Sequence, residues 1–149
     1  MSTNMDIQEL IQQAFLAREH SYSPYSHFKV GAALYCRNGN IYQGCNIENA
    51  AYSPGNCAER TAIYKAVSQG DREFVCIVIV GGLEETEINE NGKIIMQDYC
   101  PPCGVCRQVM MEFCNPKDFK IILAKSIDDY KEFTLEQLLP MGFGGKYFS

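Results

Sequence analysis

The sequence predicts an α/β protein, a three-layer α-β-α sandwich around a central mixed five-stranded sheet. Three observations predict it. Amphipathic stretches alternate with short apolar runs in the order α-β-β-α-β-α-β-β-α, an order that packs helices on the faces of a sheet. The later runs are continuous and rich in β-branched residues, as in strands covered on both faces. The 149 residues carry no internal repeat, linker or low-complexity stretch, so one domain spanning 1–149 is expected.

Ile7, Leu10, Ile11, Ala14, Phe15 and Ala17 fall at helical spacing, which makes 6–19 an amphipathic helix ended by Ser23-Pro24-Tyr25. Phe28, Val30, Ala32 and Leu34 alternate with their neighbours, and 41–47 forms a second extended run beyond Arg37-Asn38-Gly39-Asn40. Its Asn-Gly pair suits a hairpin turn, so these two strands are antiparallel. A helix over 57–68 buries Ala62, Ile63, Ala66 and Val67, with Asn56 as its N-cap. Residues 74–80 form a strand ending at Gly81-Gly82, and the polar segment 84–92, which contains Asn91-Gly92, protrudes as a loop or small ribbon. After Pro101-Pro102 a helix begins near Cys103 and runs through Met110, Met111 and Phe113. Strands follow at 119–124 and 131–133, and Thr134-Leu135-Glu136-Gln137 is a capping box for a short helix that stops at Pro140.

Composition excludes more than it assigns. A formal charge of -5 from 13 basic and 18 acidic residues argues against a nucleic-acid partner, which normally calls for a basic stripe. No run approaches the roughly 20 apolar residues of a membrane span, so no membrane partner is expected. The eight cysteines follow a start without an apolar leader, which favours a reduced, cytoplasmic setting over a disulfide framework. Cys36, Cys45, Cys76, Cys100 and Cys114 then read as small buried hydrophobes.

Chemistry concentrates in two segments, Asn56-Cys57-Ala58-Glu59-Arg60 and Pro101-Pro102-Cys103-Gly104-Val105-Cys106-Arg107-Gln108. Cys57, Cys103 and Cys106 offer three thiolates, and three soft ligands leave one corner of a tetrahedral Zn²⁺ open, as catalytic rather than structural sites do. Glu59, two residues after the first ligand, can move the proton of a water there. Cys103-x-x-Cys106 alone is equally a structural knuckle or a redox pair; Cys57 with Glu59 tips the balance to catalysis. Cys100 is the competing fourth ligand, although Pro101-Pro102 stiffens the chain beside it. Three thiolates also overcharge the metal, and Arg60 is expected to donate a hydrogen bond to one of them.

These segments resemble the cytidine deaminases of the small, homotetrameric, all-cysteine zinc type. The resemblance extends to Tyr22-Ser23-Pro24-Tyr25-Ser26-His27-Phe28-Lys29-Val30-Gly31-Ala32-Ala33-Leu34, to Gly44-Cys45-Asn46-Ile47-Glu48-Asn49-Ala50-Ala51-Tyr52, and to Leu138-Leu139-Pro140-Met141-Gly142-Phe143. It implies one Zn²⁺ per subunit on Cys57, Cys103 and Cys106, and hydrolytic deamination of cytidine and 2'-deoxycytidine in pyrimidine salvage. Water made acidic by the metal adds to the carbon bearing the amino group, with Glu59 as proton shuttle. It further implies that Asn46 and Glu48 hold the ribose 3'-hydroxyl, that Phe28 packs on the pyrimidine, and that the Ala58 N–H meets the base carbonyl. Phe143 reaches a neighbouring subunit's pocket, and Tyr52 lies near a shared site.

Without that resemblance Phe28 and Phe143 are ordinary aromatics, and Asn46 and Glu48, flanking Ile47 on one strand face, fit a solvated strand end as well as a diol site. The segment 84–97 is longer than the family leads one to expect, and Gly142-Phe143-Gly144-Gly145 is a loose version of its tail. Competing readings are an aminohydrolase for a cytosine nucleoside antibiotic of the blasticidin S kind, a polynucleotide-editing enzyme, and a non-catalytic structural zinc domain.

Overall fold

The computed structural model of the chain describes residues 5–148. Asp6 opens the first helix, α1 (Ile7–Arg18), by accepting from the Gln8 and Glu9 amides at 3.0 and 3.2 Å, which satisfies donors that no helical carbonyl can reach. Strands β1 (Phe28–Cys36) and β2 (Ile41–Cys45) follow as a hairpin, then α2 (Ala58–Ser68) and β3 (Phe74–Leu83). Two-residue strands β4 (Glu87–Ile88) and β5 (Ile94–Ile95) form the expected ribbon. The chain continues through α3 (Gly104–Phe113), β6 (Lys120–Ala124), β7 (Tyr130–Thr134), α4 (Leu135–Leu138) with its capping box, and a 3-10 turn at Gly145–Phe148.

The main sheet has the order β2-β1-β3-β6-β7, antiparallel except for the parallel pair β3 and β6. It is therefore mixed and five-stranded. Side chains alternate across a strand, and β3 uses that alternation to serve two cores. Ile77 and Ile79 pack with Ile63 of α2 and Met110 of α3, whereas Cys76, Val78 and Val80 pack with Leu10, Ile11 and Ala14 of α1. Helices thus cover both faces, and the continuous apolar run 74–80 has its physical reason.

Two glycines set how closely helices approach the hairpin. A Cβ on Gly31 would lie 2.0 Å from the Ala14 carbonyl oxygen of α1, and one on Gly44 would lie 2.3 Å from the Ala58 oxygen and 2.5 Å from the Ala62 nitrogen of α2. Gly44 pairs with Ala32, next to Gly31, so the two contacts fall on opposite faces of the sheet. Arg18 locks α1 from its C-terminal end: only 6% exposed, it donates to the carbonyls of Lys29, Gly82 and Leu83 at 3.0, 3.1 and 2.8 Å. Each buried N–H of that guanidinium group so engaged avoids a desolvation cost. The β1–β2 turn, with Gly39 at φ 93, is held to the end of α2 by Asp71, which accepts from the Asn38 and Asn40 amides at 2.7 and 2.9 Å and from the Tyr42 hydroxyl.

Four expectations need correction. The second strand stops at Cys45 rather than at residue 47, because the Asn46 side chain takes over the ladder, accepting from Val30 N–H at 2.9 Å and donating to Phe28 C=O at 2.8 Å. Cys57, not Asn56, is the N-cap of α2: both backbone groups of Asn56 are paired with Ile47 at 2.9 Å, and its side chain meets Thr61 instead. Strand β3 continues through Gly81-Gly82 to Leu83, since these residues pair with Val30, Lys29 and Phe28. Of the five remaining cysteines, Cys36 and Cys76 are buried, but Cys45, Cys100 and Cys114 are only partly so. Among the described residues no helix is long and apolar enough to cross a membrane.

The glycine contact at α2 yields a stability prediction. Gly44→Ala drives a methyl into helix backbone that has no flexible end to move, so a loss of about 1–3 kcal/mol or more is expected. Urea denaturation checks it, and an unchanged midpoint would show that α2 can lift from β2 without cost.

Candidate active site

The helix starts of α2 and α3 bring three sulfurs together. Cys57 and Cys103 are extended N-cap residues at φ -82, ψ 157 and φ -69, ψ 168, and Cys106 lies in the first turn of α3. Their sulfurs all lie within 4.8 Å of one another, with 3.7 Å between Cys57 and Cys103. Two thiolates bound at 2.3 Å to a tetrahedral zinc stand roughly 3.8 Å apart, so donor chemistry and spacing both suit that ion. The positive ends of two helix dipoles meet at the cluster and favour thiolate there. Cys100 does not belong to it: Cys100 packs on β3, where a Cβ on Gly81 would lie 2.7 Å from its Sγ.

Arg60, one turn into α2, donates through Nη2 to the Cys57 sulfur at 3.3 Å. Its Nε is buried without a hydrogen-bond partner, so the compensation for its burial comes from the thiols. Burial works to lower its pKa, but hydrogen bonds to Cys57 and Cys106 and their charge outweigh that and raise it. The Cys57 thiol is pulled down to about 5, first by a hydrogen bond with Cys106 and, against burial, by Arg60 and Cys103. Cys106 is raised correspondingly, as the partner that keeps the proton, with burial adding to the effect.

Glu59 occupies the first turn of α2 and is 4% exposed. Burial pushes its carboxyl up to about 7; the Cys57 thiolate adds to the rise, while its own backbone N–H and Arg60 oppose it. A carboxyl poised near neutrality can both accept and return a proton, which is the requirement for a general acid-base group.

Above this floor opens a cleft of about 520 Å³ whose lining includes Cys57, Ala58, Glu59, Arg60 and Cys103 together with Asn46, Glu48 and Tyr52. The structure therefore assembles eight of the predicted residues around one space, with Cys106 beneath them. Glu48 accepts from the amides of Tyr25 and Ser26 at 3.0 and 3.1 Å, and Tyr52 is fully exposed at the rim. Phe28 and Phe143 stand outside. Phe28 lines a second cavity of about 510 Å³ with Leu83, Met96 and Tyr99. Phe143 packs edge-on against Phe148 at 5.7 Å and 88°, its carbonyl accepting from Gln108 at 2.8 Å.

Sequence reasoning missed Tyr25, Cys100 and Pro101 as lining residues, and Ser21 and Ser26 as partners of Asn46 and Glu48. Only the density of hydroxyl residues in Ser21-Tyr22-Ser23-Pro24-Tyr25-Ser26 hinted at them.

Residues 4–122 match the family model described as the cytidine and deoxycytidylate deaminase zinc-binding region. A cytidine deaminase of Halalkalibacterium halodurans is 46% identical over 93% of this chain and 95% of its own length. One of Sporosarcina psychrophila is 47% identical over 93% and 92%. The crystal structure of a cytidine deaminase from Burkholderia pseudomallei superposes with a TM-score of 0.80 at 40% identity, over 93% of this chain and all of that one.

The proton distribution at the sulfurs has a direct readout. In metal-stripped protein, Cys57, with its pKa drawn down to about 5, stays thiolate well below pH 7, whereas the partly buried Cys114 is pushed up to about 12. Iodoacetamide labelling followed by mass spectrometry at pH 6.5 is expected to modify Cys57 first, and added zinc to suppress it. Equal labelling of the two cysteines would contradict this charge distribution.

Proposed function

The chain belongs to the cytidine and deoxycytidylate deaminase family, and from that premise we propose that it deaminates cytidine and 2'-deoxycytidine hydrolytically, releasing uridine or 2'-deoxyuridine and ammonia. The observation that carries the proposal is a carboxyl only 4% exposed, placed beside a three-thiol metal cluster on the floor of a nucleoside-sized cleft. A purely structural zinc calls for neither the cleft nor a buried Glu59.

Cys57, Cys103 and Cys106 would hold the zinc, which when bound would make water acidic enough to lose a proton near neutral pH. Glu59 would accept a proton from the water as its oxygen bonds to the carbon bearing the amino group, deliver that proton to the pyrimidine ring nitrogen, and then pass the added hydroxyl's proton to the amino group, so that the C–N bond breaks and ammonia leaves as the carbonyl forms. Its raised proton affinity suits it to both directions of transfer. Arg60 offsets the excess charge of the thiolates through its bond to Cys57. The Ala58 N–H, at the start of α2, has no helical acceptor and meets the base carbonyl. Asn46 and Glu48, which line the same cleft, hold the ribose 3'-hydroxyl.

Phe28, Tyr52 and Phe143 enter the proposal through assembly. Tyr52 and Phe143 are exposed and are offered to neighbouring copies in a homotetramer whose sites are shared, and the exposed Phe28 packs on the base. The net charge of -5 favours free nucleoside over polynucleotide, consistent with pyrimidine salvage in the cytoplasm.

Zinc-loaded protein incubated with cytidine should show the ultraviolet change of uridine formation. Glu59→Gln is expected to keep its zinc and lose turnover by at least about 10²–10⁴-fold. Retention of most activity would remove Glu59 from the proton path. Light scattering is expected to report a tetramer, and a stable, fully active monomer would refute the shared site.

A further inference from the structure

We infer that Ser26 and Ser21 are positioning residues that leave Asn46 and Glu48 able to hold a single hydroxyl between them. The inference rests on the deaminase reading and asks what Asn46 and Glu48 have left to offer.

The Asn46 amide has an unambiguous orientation, because the Val30 N–H can meet only its oxygen and the Phe28 carbonyl only its nitrogen, at 2.9 and 2.8 Å. Its Oδ1 accepts a second bond from the Ser21 hydroxyl, which fills both lone pairs. One Nδ2 hydrogen goes to Phe28, and one remains.

Glu48 is subject to the same accounting. Its Oε1 accepts from the Tyr25 and Ser26 amides at 3.0 and 3.1 Å, and its Oε2 accepts from the Ser26 hydroxyl. The Ser26 oxygen in turn accepts from the Phe28 amide at 3.0 Å, so its single proton is committed to Glu48. All of these donors favour the ionised carboxylate, and one lone pair on Oε2 remains.

One N–H and one carboxylate lone pair, both on side chains lining the cleft, match one hydroxyl group, which can accept from Asn46 and donate to Glu48 at once. A second sugar hydroxyl finds no vacant acceptor on either side chain. Without the Ser26 hydroxyl, Glu48 Oε2 gains a vacant lone pair and the carboxylate loses the contact that fixes its second oxygen. The cost falls on binding of that sugar hydroxyl and not on proton transfer at Glu59.

The test crosses a protein change with a substrate change. Wild type, Ser26→Ala and Ser26→Thr are each assayed with cytidine and with 3'-deoxycytidine. Loss of a hydrogen bond to a charged group is expected to raise KM for cytidine roughly ten-fold in Ser26→Ala with kcat held, and Ser26→Thr to restore it. With 3'-deoxycytidine, wild type and Ser26→Ala should have the same kcat/KM. An unchanged KM for cytidine overturns the inference, as does an equal loss with both substrates, which would mark a general folding defect. A wild-type protein that leaves cytidine untouched overturns the deaminase reading and this assignment with it; an active wild type with an indifferent Ser26 overturns this assignment alone.

Discussion

Everything at the candidate site depends on two helix N-termini meeting at one end of the sheet. Helix α3 lies in the connection between the parallel strands β3 and β6, and such a crossover returns the chain to the end where the next strand starts. Its own start therefore lies toward the carboxyl end of β3, the place where open α/β sheets keep their ligands. Helix α2 is brought to the same place by its contact with β2, close enough that residue 44 has no room for a side chain. Backbone geometry, not any attraction between sulfurs, thus sets three thiols within 4.8 Å of one another.

Once the thiols are assembled, their charge must be balanced. Helix dipoles supply part of the balance, and Arg60 supplies the nearest full charge. The same crowding acts in the opposite sense on Glu59, where burial and the neighbouring thiolate raise the carboxyl's proton affinity. One helical turn thus carries a cation that keeps Cys57 ionised and a carboxyl that holds its proton more tightly. The two are consecutive residues, so helix geometry points them in different directions.

Periodicity made most of this fold legible. All four helices and the five strands of the main sheet stand near their expected places, because their apolar spacing agrees with the packing that buries them. The errors arise where tertiary pairing overrides a local preference. Asn is a favoured N-cap, yet Asn56 is engaged by Ile47 and the cap passes to Cys57. Gly81-Gly82 reads as a strand end, yet Gly81 is needed where Cys100 leans on β3. Arg18 closes α1, and nothing local in the sequence announces the three carbonyls it reaches on β1 and β3. The metal side of the site was readable because its residues fall in two short motifs, Cys57-Ala58-Glu59-Arg60 and Cys103-x-x-Cys106, although 46 residues separate Cys57 from Cys103. The side formed by Asn46 and Glu48 was only half readable, because the serines that hold them, Ser21 and Ser26, belong to no motif that announces a partner 25 and 22 residues further on.

That contrast reflects two ways of building rigidity. The metal side is held by helix backbone packed against the sheet, so its geometry fails only if the fold does. Glu48 is held by hydrogen bonds from the turn before β1, whose residues are exposed and hide little apolar area. Such a segment opens at lower free energy than the core. The polar ribbon of β4 and β5 is separated in a similar way, pairing only with itself in a sheet of its own. After the ribbon, Pro101-Pro102 with the Arg107 bond to the Pro102 carbonyl at 2.8 Å set the approach to α3. The chain can therefore vary around its cleft while the cluster beneath stays in place.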